Sequence, residues 1–141
     1  TGQMESSRAA EAMQMFGALR RSATDCLQMS NGSTSSCVTT GQLGVSIPTV
    51  ANGASFTYTS EADSPAANQI EFKAVRTISG TDHAMCMVVT GDGSGNVTGT
   101  AYGVTPANSP FAGIVNRANS AAGTAASGCA DAVALTNALN V

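Results

Sequence analysis

The chain carries 141 residues, 43% of them hydrophobic, with nine acidic and six basic side chains giving a net charge of −3. That length suits one domain spanning residues 1–141 with a real core. The basic residues Arg8, Arg20, Arg21, Lys73, Arg76 and Arg117 are scattered, and without the basic stripe that phosphate backbones require, nucleic acid is not an expected partner.

Residues 4–29 carry a helical period. Ala9, Ala12, Met13, Phe16, Leu19, Ala23, Cys26 and Leu27 recur at three- and four-residue steps, and Glu5, Arg8, Glu11, Gln14, Arg21 and Asp25 are expected mostly on the other side. Asn31-Gly32 supplies a helix stop. About 26 helical residues span roughly 39 Å, longer than a small sheet needs. The face of Ala9, Met13 and Phe16 therefore has two expected uses, packing on the chain's own sheet and assembly with neighbouring helices.

Residues 30–53 read as a long irregular connection, of a length that needs pinning or a function. From Ala54 the period changes to two, and an antiparallel meander is expected over 54–103, with strands at 54–59, 69–78, 84–90 and 97–103. The alternation slips at Val75, which suggests a bulge or a strand end. Residues 91–96 form a turn cluster between the last two strands. Residues 104–128 are rich in Ala, Gly, Ser and Asn, and 130–140 show a short helical period through Ala130, Val133, Ala134 and Leu139. The expected fold is α+β, a long N-terminal amphipathic helix packed on a roughly four-stranded antiparallel sheet.

Aromatics make up only 4%, Trp is absent, and there are six Met. Such a core of small and flexible side chains releases less burial free energy than one of Leu and Phe, so covalent help is useful. Four cysteines in a short chain fit two disulfides and an oxidising compartment. Three pairings are open; chain proximity favours Cys26 with Cys37, leaving Cys86 with Cys129. Their spacing lacks the close ligand pairs of a zinc site. Charged residues are only 11%, well below the roughly 25% of ordinary domains. Polarity comes instead from Ser, Thr, Asn and Gly, which suits display outside the cell. No apolar run is long enough to span a membrane.

A long N-terminal helix with a small-residue, Ala-rich face, a Ser/Gly-rich connection, an antiparallel meander and a late Cys129 together resemble the type IV pilin family (pilin, minor pilin or pseudopilin). The resemblance covers nearly the whole chain and is architectural. It implies an apolar half-helix preceding Thr1-Gly2, residues 3–29 as the periplasmic half of the same helix, and membrane contact only through that preceding segment. It also implies that Cys129, paired with a sheet cysteine such as Cys86, bounds the C-terminal disulfide region within 104–141, and that residues 87–128 are exposed. The implied role is a structural subunit of an extracellular, cell-surface bacterial pilus, exported through the inner membrane. Its implied partners are copies of itself and other pilin subunits, in adhesion, motility or uptake.

Enzymatic chemistry is not expected, nor a cofactor. A Ser–His–acid triad around His83 lacks the Gly-x-Ser-x-Gly elbow, and His83, between Asp82 and Ala84 at a strand entrance, reads as a surface residue. Asp92 and Asn96 stand as weak calcium candidates, since alternate oxygen ligands are present but Gly103 occupies the position of the closing carboxylate. Asn31-Gly-Ser33 and Asn96-Val-Thr98 match the glycosylation acceptor pattern. The alternative function is a monomeric exported binding module for a small ligand or calcium, using 104–128 or the 91–96 turn.

Overall fold

The computed structural model describes residues 2–124 and 129–141. A single helix, α1, runs from Gly2 to Met29. Its buried stripe is Glu5, Ala9, Ala12, Phe16, Leu19, Ala23 and Leu27, steps of three and four that keep one face on the core. The helix stops where Asn31 and Gly32 adopt positive φ, and the Gly32 N–H reaches back to the Leu27 carbonyl at 2.8 Å, closing the orphan carbonyls of the last turn. The connection after it is not featureless. It holds a 3-10 turn at Thr34–Ser36, the short helix α2 (Thr40–Leu43) with a Thr39/Gln42 capping box, and a second 3-10 turn at Val50–Asn52.

Five antiparallel strands follow: β1 (Thr57–Ala62), β2 (Gln69–Ile78), β3 (Thr81–Gly91), β4 (Val97–Thr105) and β5 (Asn137–Ala138), in the order β4-β3-β2-β1-β5. The expected four strands gain a fifth because the chain's end returns to pair Thr59 with Ala138 and Ser60 with Asn137. The slip at Val75 is neither a bulge nor an end. The β2–β3 ladder continues to Ile78 opposite Thr81, closed by Ser79-Gly80 with φ of 50° and 81°, the positive values a two-residue hairpin turn requires. The register irregularity falls instead between Thr90 and Gly91. β1 also begins at Thr57, later than the expected 54.

One face of the sheet carries Tyr58, Ile70, Phe72, Ala74, Met85, Met87 and Val89, all in the core with α1. The other face carries Thr59, Glu71, Lys73, Cys86 and Val88, and these are buried too. Residues 129–135 cover them. In register, Cys86 lies beside Lys73 and Lys73 beside Thr59. The segment follows that row: Cys129 bonds Cys86, Asp131 and the Val133 carbonyl take the Lys73 ammonium, and the Leu135 N–H donates to the Thr59 hydroxyl. The helical reading of 130–140 is therefore wrong. These tethers lay the segment across the strands without regular structure, and Asp131 Oδ1 accepts from the Val133 N–H in a local turn.

Residues 104–128 also hold an element that was not expected, helix α3 (Ala112–Ala122); the last four residues of that stretch, 125–128, lie outside the described residues. Phe111, Val115 and Asn119 are buried at four-residue steps. The expectation that 87–128 is an exposed region is corrected accordingly, because Met87, Val89, Phe111 and Val115 belong to the main core.

Candidate functional site

The cysteines pair as Cys26–Cys37 and Cys86–Cys129, with Cα atoms 5.8 and 5.4 Å apart. The first fastens the connection to the last turn of α1; the second fastens the covering segment to the outer face of the sheet.

Ala9 and Phe16 are fully buried, and Met13 is partly buried against the same cluster. Phe16 meets Tyr58 edge-on at 6.4 Å. The chain's own sheet thus takes Ala9 and Phe16, the first of the two expected uses of this face, as part of a stripe whose burial begins at Glu5; Met13 is covered only in part. The side chains left exposed are on the back, including Ser7, Gln14, Arg21 and Asp25.

Asp92 and Asn96 do meet, but as a turn. Asp92 Oδ1 accepts from the Ser94 and Asn96 N–H groups at 2.8 and 3.2 Å, and Oδ2 accepts from the Asn96 side-chain amide at 3.0 Å. These donors, the Asn96 amide first, hold the Asp92 carboxyl below its ordinary range. Among the described residues no three His, Cys, Asp or Glu side chains gather as a metal set. The glycines of this turn have a packing reason. A Cβ on Gly32 would lie 2.7 Å from the Gly93 carbonyl, and one on Gly95 3.0 Å from the Leu27 carbonyl, so the hairpin tip rests backbone-on-backbone over the end of α1.

His83 is not a surface residue; it is 8% exposed. Its Nδ1 lies 2.8 Å from the Ser109 hydroxyl, which also accepts the Phe111 N–H, and its ring stands edge-on to Phe111 at 5.9 Å. Sequence reading missed this because the lid over His83 is the approach to α3. The pair forms a joint between β3 and α3, and among the described residues no carboxylate bonds the imidazole.

Three further constellations went unnoticed. Glu5, assigned to the polar side, lies on the buried stripe and accepts from Arg76 at 2.9 Å and Arg8 at 2.6 Å. The Arg76 hydrogen bond, foremost, holds its carboxyl below the ordinary value despite burial. Its position four residues before Ala9 was the available signal. On the outer face, a cavity of about 280 Å³ is bounded by Ser64, Glu71, Lys73, Asp131 and Leu135. Burial pushes the Glu71 carboxyl up, against the Ser64 hydroxyl bond at 2.7 Å and the nearby Lys73 charge. Asp131, at the rim, is held low by the Val133 N–H and then by Lys73.

The third constellation is a groove of about 280 Å³ between α1 and the 47–54 segment, with Met15, Ile47 and Pro48 as apolar walls and Glu11, Gln14 and Tyr58 as its polar groups. Tyr58 is 2% exposed, and burial, then the Glu11 charge, drive its phenol far above the ordinary value. No family model, curated protein or solved structure matches the chain.

Proposed function

We propose that this protein is a structural subunit of an extracellular filament of the type IV pilus kind, working by helix-mediated assembly and surface display in adhesion, motility or uptake. The observation that supports this reading is how α1 is used. A 28-residue helix keeps one stripe on its own sheet and leaves its back exposed, so it can hold a subunit together and contact others at once. Ala9 and Phe16 serve this role from inside, by fixing how the helix sits on the sheet. Two disulfides suit an oxidising exterior, where such bridges persist.

The test is the coding sequence upstream of Thr1, together with the assembly state of the protein that contains it. A short basic leader and about 20 apolar residues continuing into α1, with filaments visible by electron microscopy, is the expected result. Charged residues distributed through those upstream positions, or a full-length protein that stays monomeric at all concentrations, overturns the proposal.

A further inference from the structure

The groove beside α1 holds polar groups that the fold does not use. Tyr58 is almost wholly buried, yet its hydroxyl bonds to nothing among the described residues; the same holds for the Glu11 carboxylate and the Gln14 amide. The phenol cannot swing away to find a partner. Its ring is held between Phe16, edge-on at 6.4 Å, and Phe56 at 6.2 Å. The hydroxyl is not sealed off, since Gln69 Oε1 is the one enclosed side-chain polar atom without a partner among the described residues; the phenol stays open to the groove, where a ligand can bond it directly.

The chemistry of the lining selects that ligand. The carboxylate only accepts, the phenol oxygen accepts as well as donates, and the remaining walls are aliphatic. An anion is repelled by Glu11, and a neutral alcohol gains nothing from its charge, which stands at the exposed rim of the groove. We infer that this groove binds the end of an aliphatic monocation, an alkylammonium or alkylguanidinium group. Its stem lies on Met15, Ile47 and Pro48, and its N–H groups donate to Glu11 and to the Tyr58 oxygen. Such a cation comes from a free amine or from a second copy of this chain, whose Arg20, Arg21 and Arg117 have no carboxylate partner among the described residues. The site does not depend on the filament reading.

The experiment is a titration of isotope-labelled protein, followed by amide chemical shifts, with n-butylammonium chloride at constant ionic strength. Butan-1-ol and sodium butyrate are the neutral and anionic comparators. Saturable shifts centred on Met15, Ile47 and Tyr58 are expected at about millimolar concentration, the scale for so few ligand atoms. Binding should weaken about fivefold in Glu11→Gln, as for one partly wet charge contact. It should weaken about threefold in Tyr58→Phe, which keeps the ring packing and loses only the hydroxyl. Butan-1-ol binding as tightly as the cation, or shifts that are unsaturable and spread over the surface, overturns the inference, and so does unchanged affinity in both variants. Spectra of the unliganded protein over a concentration series identify the source. Shifts at the same amides that grow with concentration and vanish in Arg21→Gln or Arg117→Gln assign the cation to a second copy, and concentration-independent spectra assign it to a free amine.

Discussion

Glu5 and Glu71 are both buried glutamates, yet they respond to pH with opposite signs. Glu5 is held low by Arg76 and Arg8, so its contribution is present above its unfolded pKa and is lost as pH falls through the folded value. Glu5→Gln should cost about 1–2 kcal/mol at neutral pH, the scale of hydrogen bonds to a charged group. Thermal melts should show the difference closing under acid conditions, where the wild-type carboxyl is also neutral. Glu71 is pushed up by burial, so its favourable state is the protonated one: its contribution is complete below the ordinary value and is lost as pH rises through the folded pKa. Glu71→Gln should therefore leave the melting temperature unchanged at pH 4 and raise it at pH 8, by a few degrees for about 1 kcal/mol. A loss at pH 8 would show that the ion pairing with Lys73 outweighs desolvation.

At the scale of elements, contacts between backbones decide more than local propensity does. Gly32 closes α1 at φ +88° and lies under the Gly93 carbonyl. Gly32→Ala is expected to cost about 2 kcal/mol or more, combining left-handed strain with overpacking, and a chemical denaturation midpoint would measure it. Replacing Cys86 and Cys129 with Ser should cost about 4 kcal/mol by the chain-entropy argument for a loop of this length. Hydrogen exchange should then rise over 129–138, while Met87, Val89 and α3, held by core burial, stay protected; uniform loss across β3, β4 and α3 would refute this.

The same contrast explains what was legible in the sequence. α1 and the β2, β3 and β4 strands announce themselves because their periods come from burial against one another. The polar residues at Glu71 and Lys73 alternate correctly, but nothing local says that 129–135 will cover them. α3 is built with Gly113, Asn116, Asn119 and Ser120, poor helix formers. Its hold comes from Phe111, Val115 and the strand it serves, all distant pairings. The groove at Tyr58 was invisible for the same reason, since its two walls are about 30 residues apart in sequence.

Over the whole molecule, both flanks of the sheet are finished by an asparagine. Asn119, on α3, accepts the Tyr102 N–H at 2.9 Å and donates to the Tyr102 carbonyl at 2.7 Å, occupying backbone groups on edge strand β4. Asn140 accepts the Tyr58 N–H at 2.8 Å and donates to the Phe56 and Pro48 carbonyls at 2.9 and 3.0 Å. Each amide imitates one residue of a neighbouring strand, and an edge occupied in this way offers less to a foreign strand. Asn119→Ala should destabilise by about 2 kcal/mol through the polar groups it strands. It should also increase concentration-dependent aggregation, measured by light scattering at a temperature where the variant stays folded; an unchanged aggregation rate would show that α3 shields the edge by bulk alone.

The distance in sequence between β1 and the strand that flanks it gives the molecule an order in time. As the chain emerges N-terminus first, α1 and the partner cysteines Cys26 and Cys37 are available early, and the β2–β3–β4 meander can close once β4 is out. Ser60 waits for Asn137, 77 residues on, and Cys86 waits for Cys129, 43 residues on. Until those residues have been made, a nascent chain exposes an unfinished sheet margin and an unpaired thiol.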